Sequence, residues 1–322
     1  MAELEHRLNN QPIQQRRKIL AGLIGQGIQG SRTPAMHQAE GERLGLHYLY
    51  QLLDTDPMQP APRLADLLQA AQWCGFSGLN ITFPYKQQVM QYLDELGDTA
   101  KAVGAVNTVV FKDGKRIGHN TDLSGFALSF QAQMGDTQHE RVLLIGAGGA
   151  GLAVAHALLT SGVQTLLITD VSAERAQELA QSLMAQYGSD RAQAVAITAE
   201  LIPQIDGLVN ATPVGMAKLP GTPFPLEFLE ARLWVVDIIY FPIETELLKA
   251  ARLKGCRVAS GAGMAVFQAV AAFELITGLH PDSEAMRATF NSLANSSTKH
   301  AELVGKETVD KLTSELDALR KK

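Results

Sequence analysis

A run of six residues has the spacing G-x-G-x-x-G, which suits the binding of a phosphate-containing cofactor. It consists of Gly146, Ala147, Gly148, Gly149, Ala150 and Gly151. The run lies between the apolar stretch 142–145 and a small-residue stretch that favours a helix, and a second apolar stretch ends at Asp170. Glycines here allow a tight turn and close approach of a pyrophosphate, while Asp170 can accept hydrogen bonds from ribose hydroxyls. The pattern predicts dinucleotide binding; a glycine-rich turn that binds nothing is the alternative.

Two hydroxyl side chains lie beside the predicted start of the first helix. Ser31 and Thr33 end a loop that is too rich in glycine to be regular, and Pro34 suits the first turn of the helix that follows. Hydroxyls in such a place are commonly helix caps. Two of them near free N–H groups also suit a bound carboxylate.

Other polar residues are expected where strands end. Lys86 lies four residues beyond Thr82 and follows a helix start predicted at Pro84. Its side chain can therefore reach back toward the carboxyl end of the strand, where open α/β sheets bind ligands. A surface lysine is the alternative reading.

A hairpin signal lies farther along the chain, with its turn at Asp113-Gly114. Asn107 and Asp122 leave opposite arms of this hairpin, which suggests that both serve a pocket. Asp122 could instead cap the helix predicted over residues 123–134.

The periodicity of apolar residues supplies the elements that position these side chains. Strands are predicted over residues 19–24 and 48–53, a helix over 64–73, and five further strands over 142–145, 165–169, 194–197, 207–211 and 233–239. A helix over 265–277 is expected to return to the first domain. We therefore predict an α/β protein with two domains. They are an N-terminal α/β substrate and catalytic domain, residues 1–122 completed by 264–322, and a doubly wound Rossmann dinucleotide-binding domain, residues 123–263.

Composition narrows the class of protein. The 322 residues are 46% hydrophobic and carry a net charge of −5, which gives no reason to expect a nucleic-acid partner. Two isolated cysteines and histidines without ligand spacing predict neither a metal site nor a disulfide. No apolar run reaches membrane-spanning length, so we expect a cytoplasmic protein. A stripe of Val309, Leu312, Leu316 and Leu319 predicts an appended C-terminal helix after a linker at residues 295–298.

Several ordered motifs between about residues 19 and 290 resemble the shikimate dehydrogenase superfamily, which includes shikimate and quinate/shikimate dehydrogenases. Besides the glycine run, they are Ser31-Arg32-Thr33-Pro34, Asn80-Ile81-Thr82-Phe83-Pro84-Tyr85-Lys86, Gly104-Ala105-Val106-Asn107-Thr108, Asn120-Thr121-Asp122, Asn210-Ala211-Thr212-Pro213 and Asp237-Ile238-Ile239-Tyr240-Phe241-Pro242.

The resemblance implies roles for individual residues. Lys86 and Asp122 are implied to be a catalytic acid–base pair that exchanges a proton with a secondary alcohol while a hydride moves to or from the nicotinamide. Ser31 and Thr33 are implied to bind the substrate carboxylate. The resemblance assigns the ring hydroxyls of the substrate to Thr82, Asn107 and Gln268, and it places Tyr240 at the border of the site. The predicted cofactor site contains the glycine run, Asp170, Arg175, Ala211, Thr212, Pro213, Val214, Ile238, Gly261 and Met264.

Two departures from the family pattern concern specificity. Thr33 stands where many biosynthetic members have serine, which resembles the quinate/shikimate branch. Asp170 stands where NADP-using members tend to carry an Asn-Arg-Thr type sequence, so it would meet a 2′-phosphate with like charge. Arg175 is the one nearby arginine, and we expect it on the exposed face of its helix. NAD is therefore the predicted cofactor, with NADP as the weaker alternative.

The predicted function is NAD-dependent interconversion of shikimate and 3-dehydroshikimate, with quinate and 3-dehydroquinate as a second pair. A dehydrogenase for a modified cyclohexene acid such as aminoshikimate is one alternative, and a non-catalytic sensor of the dinucleotide or substrate is another. The expected partner is a small-molecule substrate, and the sequence leaves monomer and homodimer open.

Overall fold

Two six-stranded sheets follow one another along the chain in this computed structural model, which describes residues 16–293. The first sheet has the order β2-β1-β3-β5-β6-β4. Strand β1 lies between β2 and β3 and is parallel to both, and β5 joins antiparallel to β3. The strands are β1 (Lys18–Gly25), β2 (His47–Asp54), β3 (Gly78–Ile81), β4 (Glu95–Leu96), β5 (Thr108–Lys112) and β6 (Lys115–His119). Its helices are α1 (Thr33–Arg43), α2 (Leu64–Trp73) and α3 (Asp98–Val103).

The second sheet is wholly parallel, with the order β12-β11-β10-β7-β8-β9. This is the doubly wound order, in which a ligand crevice opens where the strand order reverses, here between β7 and β10. The strands are β7 (Arg141–Ile145), β8 (Thr165–Thr169), β9 (Ala192–Ala194), β10 (Gly207–Asn210), β11 (Trp234–Asp237) and β12 (Arg257–Ser260). Helices α5 (Gly149–Thr160), α6 (Ala173–Tyr187) and α7 (Glu246–Leu253) belong to this part of the chain.

The second sheet is covered on both faces, as the alternating side chains of β7 show. Val142 and Leu144 lie in one hydrophobic cluster, while Leu143 and Ile145 lie in another. All four are buried, as expected for a parallel strand with helices on both sides.

Two helices connect the sheets. Helix α4 (Thr121–Met134) runs from the first sheet to the second, and α8 (Ala262–Thr277) leads back. They pack closely, because a Cβ on Gly125 would lie 2.7 Å from the Gln268 nitrogen and a Cβ on Gly263 would lie 2.2 Å from Ser129 Oγ. Phe273 of α8 then joins the core of the first sheet, and residues 283–293 are also helical.

The fold class and most predicted elements are confirmed, including the hairpin at Asp113-Gly114 and the first-turn position of Pro34. The helix predicted to open at Pro84 is wrong. The Lys86 carbonyl accepts from the Val106 nitrogen at 2.8 Å, so it is taken by a tertiary contact. A short 3₁₀ helix, Gln88–Tyr92, follows instead.

Two strands of the second sheet also differ from prediction. The strand predicted over residues 194–197 lies at Ala192–Ala194, where its pairing with β8 ends at Ala194. The strand β12 was not predicted, because it contributes only Val258 and Ala259 as apolar residues.

The predicted linker and C-terminal helix lie outside the described residues. Within residues 16–293, no helix combines the length and apolar character needed to cross a bilayer.

Candidate active site

An ion pair lies where the first sheet meets the connecting helix α4. Lys86 follows β3, Asp122 lies in the first turn of α4, and Lys86 Nζ is 2.5 Å from Asp122 Oδ2. Their side chains are 21% and 9% exposed, so the pair is shielded from bulk water and still reachable by a ligand. The arrangement can accept a proton from a bound hydroxyl and return it.

Asn120, rather than Asp122, caps helix α4. The Asn120 side-chain oxygen accepts from the Leu123 nitrogen at 3.1 Å, so the capping alternative for Asp122 is wrong and its carboxylate is available to Lys86. Asn107 fixes the same helix start. Its Oδ1 accepts from the Thr121 nitrogen at 2.7 Å, and its Nδ2 donates to Thr121 Oγ1 at 2.9 Å. The amide of Asn107 thus positions α4, and its contact with a ring hydroxyl stays a prediction.

Ser31 and Thr33 lie at the start of α1, at the end of a loop that is tied to β2. Asp54, at the end of β2, accepts from the Gly27 nitrogen at 2.9 Å and the Ile28 nitrogen at 3.2 Å. The sequence analysis missed Asp54, since one acid at the end of a strand is a common feature. The loop presents the half-buried hydroxyl residues Ser31 and Thr33 next to the α1 N–H groups.

Thr82 is packed against the same loop. A Cβ on Gly25 would lie 2.3 Å from Thr82 Cγ2, and the Gln26 nitrogen donates to the Phe83 carbonyl at 3.0 Å. The hydroxyl loop and the turn that carries Lys86 therefore form one surface.

Tyr240 brings the second sheet to this surface. Desolvation raises the pKa of Tyr240, the positive charges of Arg32 and Lys86 oppose the rise, and the Asp122 carboxylate adds to it. Tyr240 is therefore within electrostatic range of all three side chains. Gln268 comes from α8 and packs on Gly125, one helical turn beyond Asp122.

The glycine turn leaves the open space that a pyrophosphate needs. Gly146 has a φ of +106°, and a Cβ there would lie 2.9 Å from Thr212 Cγ2. A Cβ on Gly151 would lie 2.0 Å from the Gly146 carbonyl oxygen. By contrast, a Cβ on Gly148 or Gly149 would meet nothing within 4 Å, in front of the N-terminus of α5. The residues fit a dinucleotide at this position.

Asp170 lies beside that turn and is already hydrogen-bonded. Its carboxylate accepts from the Ala147 nitrogen at 2.8 Å, the Ser172 nitrogen at 2.9 Å and Arg175 Nη2 at 2.9 Å. Burial raises the pKa of Asp170, but these hydrogen bonds and the Arg175 charge outweigh it and hold the pKa below its usual value. Arg175 is about half exposed, as expected, yet its guanidinium turns back onto Asp170.

Two fully buried polar residues hold the loops on the other side of the crevice; both belong to the sequence motifs quoted above, which assigned neither of them a role. Asn210 Nδ2 donates to Asp237 Oδ1 at 3.0 Å and to the Val214 carbonyl at 3.1 Å. Asp237 also accepts from the Ile239 nitrogen at 3.0 Å and from Thr245 Oγ1 at 2.7 Å. Burial raises the pKa of the Asp237 carboxyl.

This network places several predicted cofactor residues at the crevice. The Thr212 nitrogen donates to Asn210 Oδ1 at 2.9 Å, which fixes the loop containing Ala211, Thr212, Pro213 and Val214. A small cavity beside α4 is lined in part by Ile238, Gly261 and Met264. The residues described contain no cluster of three or more His, Cys, Asp or Glu side chains able to hold a metal.

Three family profiles match the chain in the order of these elements. A shikimate dehydrogenase substrate binding domain covers residues 23–109, a shikimate/quinate 5-dehydrogenase profile covers 129–215, and a shikimate 5′-dehydrogenase C-terminal domain covers 261–289. The chain is 51% identical over 278 residues to a shikimate dehydrogenase (NADP(+)) of Streptomyces avermitilis, spanning 85% of this chain and 96% of the relative. The chain belongs to the shikimate dehydrogenase family.

Other members of the family differ in the cofactor that they are named for. A quinate/shikimate dehydrogenase (NAD(+)) of Corynebacterium efficiens is 49% identical over 279 residues, covering 85% of this chain and 98% of the relative. Among solved structures, a quinate dehydrogenase of Corynebacterium glutamicum in complex with NAD aligns with a TM-score of 0.81 at 48% identity. The alignment covers 86% of this chain and all of that one.

Proposed function

We propose that this protein is an NAD-preferring dehydrogenase that interconverts shikimate and 3-dehydroshikimate, and quinate and 3-dehydroquinate as a second pair. The observation that carries the proposal is the Lys86–Asp122 ion pair in a chain of the shikimate dehydrogenase family. The pair lies within electrostatic range of Tyr240, in the loop after β11. A sensor without turnover needs no such pair.

The ion pair handles the proton in this mechanism. A bound nicotinamide dinucleotide supplies the hydride acceptor or donor. On oxidation, the alcohol proton passes to the Lys86–Asp122 pair, and in the reverse direction the pair returns a proton to the ketone oxygen.

The polar residues around the ion pair orient the substrate in this proposal. Ser31 and Thr33 bind the carboxylate at the start of α1, where the helix dipole favours a negative charge. The ring hydroxyls are assigned to Thr82, Asn107 and Gln268, and Tyr240 borders the ring.

Asp170 supports the preference for NAD. Its carboxylate is held at the glycine turn by Ala147 and can accept hydrogen bonds from ribose hydroxyls, whereas a 2′-phosphate would meet it with like charge. Arg175 neutralises part of that charge, so NADP remains the weaker cofactor rather than an excluded one.

The division of labour between domains is part of the proposal. Residues 1–122, completed by 264–322, are assigned to the substrate and catalysis, and residues 123–263 to the dinucleotide. Support comes from the two sheets, whose strands lie within residues 18–119 and 141–260.

A substrate panel tests the proposed function. The protein is mixed with shikimate, quinate or aminoshikimate, each with NAD or NADP, and the absorbance of the reduced nicotinamide is followed. We expect the highest catalytic efficiency with NAD and with shikimate or quinate. Clear preference for aminoshikimate would favour the modified-acid alternative, and cofactor binding without turnover would favour the sensor.

A further inference from the structure

Arg32, which stands between Ser31 and Thr33 in the sequence at the start of α1, has a buried guanidinium without an acidic partner among the described residues. Arg32 is only 8% exposed. Its guanidinium carbon lies 4.7 Å from the centre of the Phe290 ring and 5.7 Å from that of Phe241. Its buried Nη1 has no hydrogen-bond partner, and no carboxylate of residues 16–293 forms an ion pair with it.

Such an arrangement is unusual, because a buried cation is normally paired or hydrogen-bonded. The faces of two aromatic rings offset part of the cost of removing the guanidinium from water. Neither ring can accept the hydrogen bond that Nη1 offers in the plane of the guanidinium. Burial lowers the pKa of Arg32, yet an arginine starts from so high a value that it keeps its charge. Arg32 therefore keeps a positive charge and an unsatisfied donor.

The surroundings of Arg32 are those of the proposed active site. The charge of Arg32 acts on the Tyr240 phenol, as do the charges of Lys86 and Asp122. The Tyr240 ring also packs edge-on against Phe290, with centroids 5.9 Å apart. Arg32 is itself the N-cap residue of α1, whose N-terminus is the positive end of the helix dipole.

We propose that Arg32 is a specificity-determining residue that supplies the positive charge by which the site selects a carboxylate-bearing ring over its neutral ester. This inference rests on the proposed function, because it takes the substrate to be a cyclohexene or cyclohexane acid. It adds a charge to the hydroxyl contacts of Ser31 and Thr33, which bind a carboxylate and an ester carbonyl with less discrimination.

The test compares shikimate with its methyl ester in wild type, Arg32→Met and Arg32→Lys. Methionine keeps a long apolar stem against Phe290 without the charge, and lysine keeps the charge without the planar fork. Kinetic constants are measured with NAD, and affinities for both ligands are measured by calorimetry. In Arg32→Met we expect KM and Kd for the acid to rise about tenfold or more, as for a lost hydrogen bond to a charged group. The values for the ester should be nearly unchanged, and Arg32→Lys should retain most of the preference for the acid.

Arg287→Met is the matched control. Arg287 also lies over an aromatic ring, 5.3 Å from the centre of Phe267, but it faces Glu284 and is not among the charges that act on Tyr240. The control should leave the preference for the acid over the ester unchanged. Arg32→Gln is a second neutral variant, and thermal unfolding checks that each variant is folded.

The outcomes separate this inference from the proposed function. If Arg32→Met and Arg32→Gln weaken acid and ester equally, or leave the acid unaffected, Arg32 is a structural brace and the inference fails. A wild type that binds the acid in preference to the ester without oxidising it overturns the proposed function while keeping the inference. A wild type that binds neither overturns both.

Discussion

At the scale of single residues, the proposed proton transfer depends on two side chains whose charged atoms are 2.5 Å apart. Lys86→Met and Asp122→Asn should each lower kcat by about 10²–10⁴-fold, because each removes one member of the acid–base pair. The KM for NAD should stay close to the wild-type value, since neither residue belongs to the glycine turn. Steady-state kinetics with shikimate measure both constants.

The exposed Lys115–Glu95 ion pair is the control for these variants. Its side chains are 56% and 49% exposed, so Lys115→Met should change kcat little. A Lys86→Met or Asp122→Asn enzyme with near wild-type kcat would remove that residue from the mechanism.

The proposed preference for NAD also depends on single side chains. In Asp170→Asn the carboxylate no longer repels a 2′-phosphate, and Arg175 is released from its 2.9 Å ion pair. Catalytic efficiency with NAD should fall and that with NADP should rise, shifting their ratio by about tenfold to a hundredfold. The double variant Asp170→Asn/Arg175→Met should lose the NADP gain. Unchanged ratios in both variants would show that Asp170 does not face the ribose.

Sequence reasoning reached the residues with a recognisable pattern and missed those that act through distant partners. Gly146 and Asp170 follow from spacing alone, and the resemblance pointed to Lys86 and Asp122. Asp237 bonds Asn210, which is 27 residues away, and a single sequence gives no sign of such a pairing.

At the scale of elements, the loops after β10 and β11 depend on the Asp237 carboxylate. Asp237→Ala leaves the buried Asn210 amide, Thr245 hydroxyl and Ile239 nitrogen each short of one partner. We expect this change to lower the free energy of unfolding by about 3 kcal/mol or more and to raise the KM for NAD. Thr245→Val removes one hydrogen bond and should cost only about 1 kcal/mol. Urea unfolding and kinetics measure these effects.

A reversed order of these two variants would contradict the assignment of Asp237 as the centre of the network. Equal stability of Asp237→Ala and wild type would do the same.

Element prediction succeeded where local chemistry decides the structure. The hairpin follows from Asp113-Gly114, both of which have positive φ. It failed after Pro84, where the Lys86 carbonyl accepts a hydrogen bond from the nitrogen of Val106, just before the hairpin. It also failed at β12, which is a strand because it pairs with β11. The secondary structure of such segments is decided by pairing with residues that are distant in the sequence, and the local sequence gives little indication of that pairing.

At the scale of the whole molecule, a buried histidine makes stability depend on pH. His37 of α1 is fully buried among the rings of Tyr48, Tyr50 and Phe273, and burial lowers its pKa to about 3. In the unfolded chain it protonates near pH 6.5. Since acid protonates the unfolded state first, stability is lost as pH falls below about 6.5, by roughly 2 kcal/mol at pH 5.

His37→Gln should remove this part of the pH dependence, whatever it does to stability at pH 8. The control is His280→Gln, because the His280 side chain is 91% exposed and should leave the slope unchanged. Chemical unfolding at a series of pH values gives the slopes. Identical slopes for wild type and His37→Gln would mean that His37 is accessible to protons in the folded protein.

The close packing of α4 on α8 means that the chain enters and leaves the second sheet at nearly one place. Gly263, at the start of α8, lies against Ser129, in the second half of α4. The segment between Ser129 and Gly263 therefore begins and ends at neighbouring points of the structure. It can be exchanged for that of a relative without distorting the flanking helices. A chimera carrying the corresponding segment of the Streptomyces avermitilis relative, which is named for NADP(+), should shift its cofactor preference from NAD toward NADP. It should keep the substrate preference of the recipient, because Asp122 and Gln268 remain outside the exchanged piece and Tyr240 is the one proposed substrate contact inside it.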